Sequence, residues 1–429
     1  MMKLENGLEL IFVPNKSCHS VNIGLYFFGG AACESKAEQG IHHFLEHMFF
    51  RRLSEFSQAE LYSSLNRIGA TMRGVSYQNI LRFDILVSPH RCKKALDIIL
   101  KFFSDFSWSQ DEVDSERQVI LNQIFFSCDE SFYKGTEREY LKGTGFERPI
   151  MGSEKCVKHI TCDQLNALKK EFAVSENAVV VVTGNADDGF KDYCFQRFSE
   201  IKKSGSSRTE MVCNLPKNFS TRKKSVTISQ TDGDSCEIIF SFDISNDLRD
   251  KLLFPFVLQA FAVGNGAMLP FVIREEKHFT DEVYFSLEEY PSFSRGCISF
   301  LVKDENLLPC LKETVKAMLK FKADESPAYF RETVPFYTDN AAFSKDNIRD
   351  YNFEIAWKKM NYNIREDFIE KEKAFFKSIT VSDFNVAKAK LFTSSRISAA
   401  VECPFSSEKE VSSVLKNFFK NLDKYPGST

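Results

Sequence analysis

One decapeptide does most to restrict what this chain can become: Gly40-Ile41-His42-His43-Phe44-Leu45-Glu46-His47-Met48-Phe49. It reads as part of a helix from Gln39 to Arg51, since its apolar residues recur at helical spacing and no proline interrupts them. His43, Glu46 and His47 stand at i, i+3 and i+4, so all three lie on one helix face. A fold that buries the apolar residues must leave two imidazoles and a carboxylate side by side, and polar groups at a core margin need partners. Two imidazoles four residues apart can grip one Zn2+, while the carboxylate between them reaches water as a general base. The order H-x-x-E-H inverts the more common H-E-x-x-H. His42 lacks this spacing and is expected to be a packing or surface histidine.

The helix sits in an alternation of strands and helices. Leu8 to Val13 and Ser20 to Phe28 read as strands, with Pro14, Asn15 and Lys16 as a turn that closes them into a hairpin. A helix at Ser57 to Ile68 precedes strands at Ala70 to Tyr77 and Asn79 to Val87. Helices follow at Cys92 to Phe106 and Asp111 to Phe126, the second opening on an acidic turn that suits a helix N-terminus. Asn177 to Thr183 is an apolar, β-branched run that reads as a buried strand. After a polar, turn-rich stretch at Lys202 to Ser225, strands are expected over Val226 to Ile244, Val283 to Glu289 and Cys297 to Val302, with helices between and after them.

With 429 residues the chain exceeds ordinary single-domain size. The midpoint loop therefore divides it into a domain at 1–203 bearing the histidine motif, a linker at 204–224 and a second domain at 225–429 without the motif. The halves echo each other. Ser17-Cys18 before one strand matches Ser235-Cys236 before another at an offset of 218, and Ser175 before AVVVV matches Ser394 before ISAAV at an offset of 219. Near-equal offsets are what an ancestral duplication leaves. The fold class that follows is α+β, built as two similar halves.

Composition excludes several functions. Lys plus Arg total 56 and Asp plus Glu 59, scattered without a dominant block, so nucleic-acid binding has no support. The one uncharged run long enough to span a bilayer, Leu252 to Ile273, contains Pro255, Gly264, Asn265, Gly266 and Pro270 and reads as two core helices broken by a glycine turn. No membrane span is expected. The N-terminus lacks a secretory pattern, and twelve cysteines without any CxxC read as reduced, mostly buried thiols. A cytoplasmic protein is the expectation.

The run LENGLELIFVPN, the strand pair after it and EQGIHHFLEHMFF resemble the opening of the pitrilysin, insulin-degrading and mitochondrial processing peptidases, with a likeness that extends over the first 125 residues. The chain looks like a short bacterial-type member of that zinc metallopeptidase family. The resemblance implies two α/β-sandwich halves, each an antiparallel-rich sheet covered by helices, with His43 and His47 as ligands of Zn2+ and Glu46 as the base that activates water. SERQVILNQ then matches the family segment that carries a structural glutamate and, seven residues later, a ligand glutamate. Here Glu116 holds the first position, but the second, 76 residues after His47, is Gln123. Spacing i, i+7 keeps both on one helix face, so the geometry survives while the charge is lost. Three outcomes stay open: Gln123 ligates weakly, another acid such as Glu116 or Glu130 substitutes, or zinc is abandoned. In the second half, GNGAMLPFVIREEKHFTDEVYFS resembles the family segment whose arginine and tyrosine reach the substrate carbonyl, which maps onto Arg274 and, after a small insertion, Tyr284.

Two readings follow. The first is a zinc-dependent endopeptidase that encloses an unfolded peptide, such as a leader or precursor peptide, between its halves or between two chains, as a homodimer or a heterodimer with a related peptidase subunit. The second, motivated by Gln123, is a catalytically weakened or inactive peptide-binding partner subunit of a heterodimeric peptidase.

Overall fold

The computed structural model describes residues 2–127, 131–205, 226–365 and 367–424, without the side chains of residues 340 and 341. The expected linker at 204–224 falls almost wholly outside them, as does Glu130. Contacts divide the chain into two units: Met1–Asp129, Glu137–Pro216 and Phe343–Phe368 form the first, and the remainder forms the second.

In the first unit the strands are β1 (Met2–Lys3), β2 (Glu9–Pro14), β3 (Val21–Phe28), β4 (Thr71–Ser76), β5 (Ile80–Val87) and β6 (Ala178–Gly184). They form one sheet in the order β1-β2-β6-β3-β5-β4. The expected hairpin between β2 and β3 is corrected: β6 lies between them, parallel to β2 and antiparallel to β3. The reason is the AVVVVTG sequence of β6, buried at every position, whose β-branched side chains and ladder groups require neighbours on both edges. A local turn cannot supply that.

Helices α1 (Ile41–Arg51), α2 (Gln58–Arg67), α3 (Cys92–Leu100) and α4 (Gln110–Phe126) come from the first part of this unit, and α1 packs against α4 and β4. Val21, Ile23, Leu25 and Phe27 of β3 join the core with Phe44, Leu45, Met48 and Phe49 of α1, all fully buried. Each such side chain contributes about 1.5–3 kcal/mol through burial, enough to fix the rotation of α1 about its axis. Alternate residues of β3 face the other way. There Tyr26 and the backbone around Asn22 meet α5 (Ile348–Tyr362), a helix contributed from far along the chain. Arg82, Asp84 and Arg349 form buried ion pairs on the same face.

The second unit repeats the plan. Its strands β7 (Val226–Gln230), β8 (Ser235–Ile244), β9 (Tyr284–Tyr290), β10 (Phe293–Lys303) and β11 (Ile397–Cys403) are ordered β9-β10-β8-β11-β7. The pair β11 and β7 is parallel, as is the pair β6 and β2, so each sheet holds one parallel pair in the corresponding place. The fold is thus α+β with two similar halves. Leu248–Ala262 is helical, a glycine turn follows, and short helical turns run over Met268–Pro270 and Phe271–Glu276, as the pattern at 252–273 implied. Among the described residues no helix is long and apolar enough to cross a membrane.

Nine described cysteines are free thiols. Cys33 is disulfide-bonded, which corrects the expectation of reduced thiols throughout. Cysteines brought together only by folding leave no spacing signal in a sequence.

Candidate metal centre

Local structure explains how the two site helices are held. The first begins at Gly40, whose left-handed backbone (φ 93°) and close approach to Met151 suit glycine: a Cβ there would stand 2.5 Å from the Met151 carbonyl oxygen. Its free N–H groups are met by a carboxylate from outside the helix. Glu34 accepts hydrogen bonds from the backbone N–H of Gly40 (2.7 Å) and of His42 (3.0 Å). The other helix, α4, starts on a capping box in which Ser109 and Glu112 satisfy each other's backbone N–H groups, worth about 1 kcal/mol.

Between these helices the expected residues converge. His43 Nε2 lies 3.0 Å from Gln123 Oε1, and His47 Nδ1 lies 2.8 Å from Glu116 Oε1. The two imidazole rings meet edge to face, with centroids 4.6 Å apart and planes inclined by 68°. Glu116 is buried and occupied by His47, so it is neither a solvated charge nor a spare ligand. A carboxylate on Nδ1 fixes the tautomer and leaves Nε2 of His47 with its lone pair outward, the arrangement that orients a metal-binding histidine. His42 is buried and turns away, with Nδ1 3.3 Å from Glu34 and its ring edge-on to Phe172, a packing role.

Glu46 is buried beside His43, with Oε2 3.6 Å from Nδ1. Its carboxylate is cradled by two residues of β4. Ser76 donates a hydrogen bond to Oε2 at 2.9 Å, and Gly74 makes room, since a Cβ at that position would stand 2.4 Å from Oε1. Burial works against the charged form of His43, but the facing Glu46 carboxylate and the Gln123 oxygen outweigh it and raise its pKa. A metal at Nε2 therefore competes with a proton.

Imidazole nitrogen and amide oxygen are donor types that zinc accepts. Two donors on one tetrahedral zinc, each about 2.1 Å from it, stand about 3.4 Å apart, close to the separation of His43 Nε2 and Gln123 Oε1. What the set lacks is an anion. Among the described residues no group of three or more His, Cys, Asp or Glu side chains is arranged to hold a metal ion, and the oxygen that meets His43 belongs to an amide.

The second-half residues are engaged locally. Arg274 donates to the Asp281 carbonyl oxygen and pairs with Glu275, while Tyr284 opens β9 half-exposed, its phenol held above its ordinary pKa by Glu282. Sequence reasoning missed Glu34, Gly74 and Ser76. Only Glu34 left a trace, as an acid just before a helix start.

A duplicated α+β unit whose first copy packs an H-x-x-E-H helix against a helix bearing Glu116 and Gln123 defines a metallopeptidase-like class. The profile of insulinase, peptidase family M16, matches residues 10–143, and that of the peptidase M16 inactive domain matches residues 159–334. The chain belongs to peptidase family M16, with the inactive-domain type in its C-terminal part. An uncharacterized zinc protease of Rickettsia bellii is 24% identical over 93% of this chain and 96% of its own length. Some matches are partial: the uncharacterized zinc protease YmxG of Bacillus subtilis is 25% identical over 43% of this chain, which spans 46% of that protein. A probable mitochondrial-processing peptidase subunit beta of Arabidopsis thaliana is 22% identical over 50% of this chain and 41% of its own. Among solved structures, a protease from Helicobacter pylori shares the fold at a TM-score of 0.81 and 15% identity, covering 94% of this chain and 98% of that one.

Proposed function

We propose that this chain is a zinc-dependent endopeptidase acting on unfolded peptide, with His43, His47 and Gln123 holding Zn2+ and Glu46 as general base. The observation that carries the reading is the pairing of His47 Nδ1 with buried Glu116, since an imidazole oriented by a carboxylate is the support a ligand needs. Zn2+ held there supplies Lewis acidity, polarising a peptide carbonyl and easing the ionisation of water. Glu46 takes the proton at the oxygen left free by Ser76 and later returns it to the leaving amine. Gly74 leaves the room that this oxygen occupies, which a Cβ would take.

Strand β4 lies at the margin of its sheet next to this carboxylate, and an extended peptide adding to its outer edge would run past Glu46. Arg274 and Tyr284 are the candidates for stabilising the oxyanion. Domains at 1–203 and 225–429, joined by 204–224, would enclose the peptide alone or with a second chain. A homodimer or a heterodimer with a related subunit suits this, since one relative is itself named as a subunit. Leader or precursor peptides in the cytoplasm are the substrates of this reading, supported by the nine free thiols and opposed by the Cys33 bridge.

Gln123 favours a second reading, a peptide-binding subunit that does not cut. The two part on cleavage of an unfolded, quenched-fluorescence peptide with and without chelator. Cleavage abolished by chelation and restored by zinc supports the peptidase; binding of the peptide without chelator-sensitive cleavage supports the binder. Restoring the anion provides a further prediction. Gln123→Glu is expected to tighten zinc binding at least 10-fold, the lower end of what even outer-shell changes do, as read by competition with a chromophoric chelator. Unchanged affinity would remove residue 123 from the ligand set.

A further inference from the structure

We infer that Arg73 makes the outer edge of β4 select an extended peptide that carries an acidic side chain, Asp or Glu, at the position opposite it. This rests on the reading of β4 as the strand to which peptide adds, and deepens it by naming the chemistry of one subsite. Strand β4 is last in its sheet and, among the described strands, pairs only with β5. Its side chains alternate between two faces. Gly74 and Ser76 meet Glu46, so Arg73 lies on the opposite face, toward α5. An added strand keeps the alternation. The peptide residue opposite Gly74 points to the Glu46 side, and the one opposite Arg73 points to the Arg73 side with its Cβ about 5 Å away.

That face holds more positive charge than its carboxylates balance. Asp84 is fully buried and directly across from Arg73 in the register. One of its oxygens accepts from Arg73 Nε at 3.0 Å and from Arg82 Nε at 2.6 Å, and the other lies 2.8 Å from Arg349 Nε. Three guanidiniums thus share one carboxylate. The other acid of the group, Asp350, is 66% exposed and stands 3.6 Å from Arg73 Nη2, a buried nitrogen that makes no hydrogen bond. Arg82 is buried, and Arg349 donates from Nη2 to the carbonyl oxygen and hydroxyl of Thr71. Arg73 is the member of the three that solvent reaches most, with 37% of its side chain exposed. A carboxylate arriving beside it supplies the missing charge in half-buried surroundings, where an opposite-charge pair is stronger than in open water. A lysine there would add a fourth cation.

The test reads binding, so it does not depend on cutting. Fluorescein-labelled unfolded peptides of one neutral sequence, with a single Glu, Gln or Lys stepped along it, are titrated with the full chain in the presence of chelator and followed by anisotropy. At the best position Glu is expected to bind about 5-fold tighter than Gln and about 10-fold or more tighter than Lys, the size of a cross-strand charge pair. Arg73→Gln, which leaves Asp84 with Arg82 and Arg349, is expected to erase the preference, and Arg73→Glu to turn it toward Lys. Melting temperatures show that the variants are folded, and Arg73→Gln decides alone where Arg73→Glu is not. Equal binding of the three peptides to wild type, or a preference for Glu that survives in Arg73→Gln, overturns the inference and leaves the proposed function standing. Failure to bind any of the peptides overturns both, so the two failures are distinguishable.

Discussion

Glu46→Gln is expected to lower peptide cleavage by about 10²–10⁴-fold while leaving zinc content unchanged, the contribution of a well-placed general base. The amide keeps the size of the carboxylate and can still accept from Ser76, so the cradle made by Ser76 and Gly74 survives. What disappears is the capacity to take a proton. Because the residue lies beside His43 without replacing either imidazole, metal and fold provide internal controls. A variant that cleaves within a factor of a few of wild type would remove Glu46 from the chemistry, and a variant without zinc would show that its role is in holding the site together.

The second large effect is on stability. Asn352 of α5 accepts a hydrogen bond from Tyr26 at 2.6 Å and donates to the carbonyl oxygens of Val181 (2.8 Å) and Asn22 (3.2 Å) and to the Thr183 hydroxyl (3.0 Å). Asn352, Tyr26, Asn22 and Thr183 are all buried. Asn352→Leu preserves volume but leaves the Tyr26 hydroxyl without its acceptor, in a place where burial already pushes the phenol pKa far up. At about 1–3 kcal/mol for each polar group left unsatisfied, the expected loss is about 3–5 kcal/mol. Urea unfolding followed by tryptophan fluorescence reads this as a lower midpoint, with Trp357 on α5 and Trp108 in the first core as reporters. A loss below about 1 kcal/mol would mean that the polar layer under α5 is held by its ion pairs alone.

The contrast between these two regions shows what a sequence can carry. The H-x-x-E-H helix, the Glu116 and Gln123 helix and the β6 run were legible because each is a local pattern: helical spacing places residues on one face, and an apolar β-branched run demands a buried strand. The duplication was legible from two offsets, and the matching strand orders of the two sheets bear it out. The hairpin was misread because a turn signal says only that the chain reverses, not which strand comes to lie beside it. Nor did anything in Asn352 or Arg349 announce that a helix at 348–362 would cover the first sheet, since its partners Tyr26 and Asp84 lie hundreds of residues away. Ser76 and Gly74 were invisible for the same reason. Their meaning exists only once β4 is set beside α1.

The central claim is that His43, His47 and Gln123 still form a zinc site. Metal analysis of the purified full chain, wild type beside His43→Ala, tests it most directly. The account predicts about one zinc per wild-type chain, lost in His43→Ala, whose remaining imidazole and amide cannot hold the ion alone. No zinc in the wild type, with full occupancy appearing only in Gln123→Glu, would contradict it and leave a dismantled centre on a peptide-binding subunit.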